Sequence, residues 1–335
     1  MLYILSFFPL VLFSSQVLAF TCIISTVSTT LTPPAITIQR DLPVGSVIGN
    51  QLTSGSVSAF TCSNILPPAL TYQQFGIKGQ GTYVSTINSR RVYSTNIAGI
   101  GYAVGITTNG NCSGSTAWVD GTNNVDGNLN NRIACTVNGL FGTQPISGQA
   151  LITFYKTSQT TGSGTVSSRQ VGSFILRNNQ NSWQYPEVSI NISSFNVNTL
   201  ACTITNTAIN VNMGSVEKRD FSGVGTWPGD GNTKSFNIPL SCNAGTRVNI
   251  KIDGNAQNAS QGVLNLSSTA NSAKGVGIQL LYKDAPLVLG SAFFTGATTS
   301  EGAFTVPLKA RYYQTARDII TGVANSSATF TFTYQ

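Results

Sequence analysis

Short runs of alternating apolar and polar residues, broken every few positions by Gly, Asn, Ser or Pro, make up most of the chain. Period-two alternation marks a strand with one face on a core. Thr37 to Arg40, Leu151 to Tyr155, Val171 to Leu176 and Val188 to Ile192 read as strands, as do Val248 to Ile252, Val276 to Tyr282 and Thr329 to Tyr334. Asn109-Gly110, Asp126-Gly127 and Asp253-Gly254 are turn signals between such runs. Residues 310–321 hold the best candidate for a helix, and its apolar stripe is weak. Many short strands at regular spacing predict an all-β protein built of β-sandwiches.

The chain has 335 residues, enough for two ordinary domains. Cys22 and Cys62 stand 40 residues apart, and so do Cys202 and Cys242, which suggests two related units. We place the first unit at 20–195, a short polar linker at 196–201 and the second unit at 202–335. Residues 1–19 read as a signal peptide: Leu2 to Phe13 is apolar, and Val17-Leu18-Ala19 is a small-x-small cleavage site. The n-region lacks Lys and Arg. The alternative, a membrane anchor, needs about 20 apolar residues, more than this run supplies.

Cysteine usage and charge narrow the classes. Six cysteines remain after cleavage: Cys22, Cys62, Cys112, Cys135, Cys202 and Cys242. An even count in an exported chain favours disulfides. Fifteen pairings are open, of which the pairing of neighbours (22–62, 112–135, 202–242) is the simplest. Metal binding is the alternative use of cysteine, but the chain has no His and no CxxC. No cofactor or metal is expected. Without His there is no Ser-His-Asp or Cys-His arrangement, and no phosphate-binding loop appears. A two-carboxylate glycosidase is the remaining enzymatic option. Residues 20–200 hold 8 basic and 4 acidic residues, none of the acids in a recognisable setting, so we expect no enzyme. The net charge of +7 is diffuse, with no basic stripe interleaved with aromatics, and nucleic acid is not an expected partner.

Three features of the second unit carry a resemblance. Cys202 and Cys242 stand 40 apart, the latter within Ile238-Pro239-Leu240-Ser241-Cys242; Lys274-Gly275-Val276-Gly277-Ile278-Gln279-Leu280 follows. The last stretch is Ala328-Thr329-Phe330-Thr331-Phe332-Thr333-Tyr334-Gln335, with Gly322 at the fourteenth position from the end. Together, in order, they resemble pilins of the chaperone–usher pathway. The resemblance implies a second unit that is an incomplete immunoglobulin-like pilin sandwich, lacking its last strand and leaving an apolar groove. A periplasmic pilus chaperone would fill that groove first. At the outer-membrane usher, the donor strand of the next pilus subunit would replace it. Gly322, Ala328, Phe330, Phe332, Tyr334 and Gln335 would form the assembly strand. The alternative is an ordinary sandwich whose final strand is paired internally.

Only Phe20 and Thr21 precede Cys22 after the cleavage site, and another unit stands before Cys202. The expectation is a subunit that accepts a strand and donates none. It would be exported through the periplasm to the cell surface and sit at the fimbrium tip. The whole resembles two-domain tip adhesins of type 1-like fimbriae, which implies attachment to a host glycan or surface receptor. The alternative function is a non-adhesive pilus cap or assembly initiator.

The start Phe20-Thr21-Cys22 with its step to Cys62 is similar to the mannose-binding adhesins of type 1 pili, as is Gly172-Ser173-Phe174-Ile175-Leu176-Arg177 before an Asn-rich loop. In that family an Asn-Asp follows the second cysteine and an Asp lies in the late loop. Here Asn64 is followed by Ile65, and the late loop has no Asp before Glu187. A sugar site needs fixed polar groups around an aromatic face. The first candidate receptor site is therefore Phe20, Asn64, Asn178, Asn179, Gln180, Trp183 and Tyr185. The alternative is the Cys112–Cys135 loop, with Trp118, Asp120, Asn123, Asn124 and Asp126. Either set also suits ordinary sandwich-end turns with a Trp packed beneath. Arg90-Arg91 reads as a solvated strand end.

Overall fold

Alternating β-branched and aromatic residues favour extended chain, and the computed structural model is all-β. It describes residues 20–335 apart from 66, 113, 123 and 124; nothing is said of the side chain of residue 111. The signal-peptide reading of 1–19 lies outside the described residues. Each of the seven runs read as strands contains one, Thr37 to Arg40 running one residue past its strand into a turn at Arg40. The strands are Ile36–Gln39, Ile146–Lys156, Arg169–Asn178, Val188–Ile192, Arg247–Gly254, Val276–Tyr282 and Ala328–Tyr334. Helical structure among the described residues is confined to short 3-10 turns.

Two readings need correction. Residues 310–314 continue the long strand Gly302–Gln314 and form no helix. Val306, Leu308, Ala310 and Tyr312 keep a period-two apolar face, and pairing with Lys234–Cys242 along 302–310 and with Val276–Tyr282 along 309–314 holds them extended. Asp253-Gly254 is the end of strand Arg247–Gly254, with Gly254 opposite Ala328. Packing explains that glycine: a Cβ there would lie 2.5 Å from Leu264 Cδ2. Residues 196–200 belong to a strand, Phe195–Leu200, which pairs in parallel with Ile36–Gln39.

The chain divides into two compact units. Unit 1 comprises residues 20–34, Val47–Thr157 and Thr165–Phe195. Unit 2 comprises Ala35–Ser46, Ser158–Gly164 and Asn196–Gln335. Unit 1 is two sheets. The larger runs in the order Phe20–Ile24, Val57–Asn64, Ile146–Lys156, Ile100–Thr108, Arg90–Ser94, Tyr83–Ile87. The smaller is Asn131–Asn138, Tyr72–Gly79, Arg169–Asn178, Val188–Ile192, Ser28–Leu31. Inward-facing aromatics join them. Phe60 of the larger sheet meets Phe75 of the smaller edge-on at 6.3 Å, and Phe75 stacks on Phe174 at 5.9 Å.

In unit 2 the main sheet runs Cys202–Ile204, Lys234–Cys242, Gly302–Gln314, Val276–Tyr282, Val263–Leu264, Ala256–Asn258. A three-stranded sheet, Ala292–Ala297, Arg247–Gly254 and Ala328–Tyr334, carries the C-terminal strand on its edge. Cysteines pair as neighbours: Cys22–Cys62, Cys112–Cys135 and Cys202–Cys242. The first and last link residues directly opposite each other in adjacent strands.

Phe174 is fully buried and Val27 is 73% exposed. Phe174→Ala should lower the unfolding free energy of unit 1 by about 3–5 kcal/mol, as for other core aromatics. Val27→Ala should change it by less than about 0.5 kcal/mol. Guanidinium unfolding of the full chain measures both.

Candidate functional site

The apolar face of Ala328–Tyr334 begins a groove in unit 2. Phe332 and Tyr334 are buried and Phe330 is half-buried, while Ala328 and the alternate threonines are more exposed. Phe330 and Phe332 meet edge-on at 5.8 Å. Tyr334 donates its hydroxyl to Cys202 O at 3.0 Å, which ties the strand end to the first strand of the main sheet. Beyond Phe330 the strand lines a cavity of about 570 Å³ whose floor includes Ile238, Ile252, Leu264, Leu280 and Leu308.

The facing wall is residues 207–213. This segment belongs to no sheet, and Ile209, Val211 and Met213 pack partly buried against the core. Past Asn325 a second cavity of about 640 Å³ follows, with Val216, Phe221, Tyr312, Ile319 and Val323 in its lining. Gly322 also lies there. Its Cα sits against the backbone of residues 271–273, where a Cβ would collide with Asn271 O. Gln335 is exposed, and its backbone O accepts from Arg247 Nε at 2.9 Å.

One edge of the C-terminal strand is paired. Its residues lie opposite Arg247–Gly254 in antiparallel register, Val248 facing Tyr334, Ile250 facing Phe332 and Ile252 facing Phe330. Backbone groups of Val248 and Ile252 point the other way: Val248 O accepts from Thr295 Oγ1 and Ile252 O from Gly290 N. These are therefore the non-hydrogen-bonded pairs of the ladder. The N–H and C=O groups of Phe330 and Phe332 then point outward.

In unit 1, hydrogen bonds link the elements that carry the residues of the first candidate cluster. Phe20 lies opposite Asn64 in the ladder, and Gln184 Nε2 donates to Cys22 O at 3.0 Å, which brings the loop after Asn178 beside the first strand. The amide oxygens of Asn64, Asn178 and Asn179 are committed to holding the loops. Asn64 Oδ1 accepts from Leu70 N at 2.8 Å and Asn179 Oδ1 from Thr71 N at 2.9 Å. Asn178, fully buried, accepts from the backbone N–H groups of Gln180 and Asn181. Gln180 Nε2 reaches Pro68 O and Ala69 O at 3.4 Å. Trp183 is half-buried and Tyr185 is 66% exposed.

The second cluster gains two residues that the sequence reading left outside it. The Arg90 guanidinium lies 3.6 Å from the centre of the Trp118 ring and donates to Tyr155 Oη at 3.0 Å and Thr153 Oγ1 at 3.2 Å. Arg91 sits 4.0 Å over Tyr83 and donates from Nε to Asn130 Oδ1 at 3.0 Å. Arg90-Arg91 is therefore packed on aromatic faces. Backbone pairing causes this: Arg91 N donates to Val119 O, so the strand carrying both arginines abuts the Trp118 segment. Asp120 pairs with Arg132 at 3.0 Å and accepts from Thr122 N and Oγ1. Asp126 accepts from Asn128 N and Asn131 Nδ2, each at 3.0 Å. Asn123 and Asn124 lie outside the described residues.

The fimbrial protein family model matches residues 187–335. A fimbria adhesin protein of Klebsiella pneumoniae is 34% identical over 197 residues, 53% of this chain; the chain spans 57% of that protein's length. The type-1 fimbrial protein A chain of Escherichia coli K12 is 36% identical over 145 residues, 39% of this chain and 79% of that protein. Among solved structures, the CupB6 tip adhesin of Pseudomonas aeruginosa aligns at 18% identity with TM-score 0.38, covering 94% of this chain and 95% of the other. The receptor binding domain of the adhesin MrkD1P of Klebsiella pneumoniae aligns at 20% identity with TM-score 0.36, covering 55% and 99%. The relatives matched in sequence are fimbrial subunits and adhesins, not enzymes.

Burial pushes the Tyr93 phenol well above the ordinary tyrosine range, partly offset by Arg91, and likewise raises that of Tyr102. The unfolded chain thus loses these protons first as pH rises. Their contribution to stability is complete below about pH 10, the unfolded tyrosine value, and falls as pH climbs toward the folded-state values. An absorbance titration of phenolate should show two late-titrating tyrosines in unit 1. Tyr93→Phe should shrink the alkaline loss of stability.

Proposed function

The chain belongs to the fimbrial protein family, and we propose that it serves there as an adhesin, unit 1 contacting a receptor and unit 2 joining the chain to a fimbrium. The observation that carries the fibre half is the groove along Ala328–Tyr334. Side chains of unit 2's own core form its floor, and residues 207–213 and 325–330 line its sides, the latter leading into a strand paired along one edge with Arg247–Gly254. An added strand would pair with an open edge and cover the apolar floor in one step. A periplasmic chaperone strand, followed at the usher by the donor strand of the next subunit, is the occupant that suits such a groove. The product would be displayed on the cell surface at the fimbrium tip.

For the receptor half, unit 1 is a separate sandwich with its own core and two surface clusters that combine aromatic faces with fixed polar groups. The first suits a neutral glycan: exposed Tyr185 beside amides locked by backbone hydrogen bonds. The second, with Arg90 and Arg91 laid on Trp118 and Tyr83, suits a ligand carrying negative charge. A glycan is the receptor class we favour.

The full chain should bind on an array of host glycans and matrix proteins. Tyr185→Ala or Trp118→Ala should weaken that binding about tenfold or more, as loss of an aromatic anchor does, according to which cluster makes the contact. Binding to no glycan, matrix protein or cell would overturn the adhesive half. For the groove, Ala328→Asp places a charge on an exposed rim and should abolish co-purification with the chaperone. Unchanged capture would count against it.

A further inference from the structure

We propose that Asp41 is a stop that ends the pairing of any added strand on the open edge of Ala328–Tyr334. The inference rests on the reading of the groove as a strand acceptor and adds where that acceptor ends. Ladder alternation turns the backbone groups of Phe330, Phe332 and Tyr334 to the same outer edge. Those of Tyr334 are already taken. Tyr334 N donates to Asp41 Oδ2 at 2.8 Å, and Asp41 N donates to Tyr334 O at 3.0 Å. Asp41 thus occupies the place that the next residue of an added strand would take.

The plug is built to stay. Arg40 Nε and Nη2 reach Asp41 Oδ1 and Oδ2, each at 3.0 Å, so one fork holds both carboxylate oxygens. The same guanidinium lies 4.5 Å from the centre of the Tyr334 ring. Asp41's hydrogen bonding and charge hold the Arg40 pKa above its ordinary value. The preceding residues are anchored within unit 2. Gln39 donates to Gly245 O at 2.9 Å and accepts from Arg247 N at 3.1 Å, and Arg40 N donates to Leu200 O at 3.0 Å. A strand seated in the groove therefore pairs with Phe330 and Phe332 and must leave or turn away before Tyr334. Asp41 acts through the edge it covers, as a positioning residue for register.

The test uses the full chain and synthetic peptides alternating Val and Thr, lengthened two residues at a time from either end. Backbone amide exchange by NMR and binding by fluorescence anisotropy are the readouts. In the protein alone, the Tyr334 amide should exchange slowly in wild type and in Asp41→Asn, which keeps an acceptor oxygen. It should exchange fast in Arg40→Ala/Asp41→Ala. Peptides should protect residues 328–332 in every variant. Lengthening past the end that reaches Phe332 should gain less than about twofold in wild type and Asp41→Asn. In the double variant, which frees the Tyr334 N–H, it should gain up to about tenfold and protect Tyr334, the worth of one added backbone hydrogen bond. Equal gain in wild type and the double variant overturns the stop alone and leaves the acceptor reading intact. If no peptide protects 328–332 in any variant, the acceptor reading fails and the stop fails with it.

Discussion

The open outer edge from Ala328 to Phe332 is the constraint on which unit 2 depends. A strand edge in water has its N–H and C=O groups solvated at little cost, but this one borders an apolar floor. Ile252, Leu264 and Leu280 belong to the same cluster as Ile238 and Leu308, so floor and core are one body of side chains. Covering the floor with a loop would leave the edge unpaired, and pairing the edge from outside would leave the floor wet. An extended chain with apolar residues at every second position satisfies both at once. Such an edge is also an aggregation hazard unless something holds it.

The rest of unit 2 keeps that edge in place without closing it. Tyr334 is fixed three ways: its ring is buried, its hydroxyl donates to Cys202 O, and its backbone is held by Asp41. Cys202 is itself bonded to Cys242, which lies opposite it in the main sheet. The paired face and one end of the strand are rigid, while the stretch from Ala328 to Phe332 stays available. Unit 1 has no comparable need. Its two sheets meet where Phe60 lies edge-on to Phe75, which stacks on Phe174 of its own sheet.

Much of this was legible in the sequence where the signal is local. Period-two alternation marked Ala328–Tyr334 and the other strands because each strand buries one face. Asp253-Gly254 misled because a residue pair that favours a turn is here held in a strand by pairing with Thr329 and Ala328. The groove's second wall carried a signal that went unread: Ile209, Val211 and Met213 alternate, but in a segment with no ladder and few residues. The partnership of Asp41 with Tyr334 spans 293 residues and leaves no local trace. Arg90 and Arg91 looked like a solvated strand end because nothing nearby in sequence shows that the Trp118 segment abuts them. The amides of Asn64, Asn178 and Asn179 were visible as a polar cluster. Their engagement by backbone N–H groups depends on how distant loops meet.

Pinning one end of an open edge also bears on how tightly a strand can be held. A flexible edge would have to be ordered on docking, and that ordering would be subtracted from the gain of burying the floor. Here Tyr334 is ordered by its bonds to Cys202 and Asp41, and the remainder is paired along its inner side with Arg247–Gly254. If the groove takes a strand as proposed, the acceptor would be largely prepared before any partner arrives, and the ordering cost would fall on the incoming strand. Affinity then turns on how well that strand's alternating side chains fill the floor between 207–213 and the Ala328–Phe332 edge. Backbone pairing, which is the same for every sequence, supplies strength without choice. Discrimination between one donor strand and another must come from the side-chain floor.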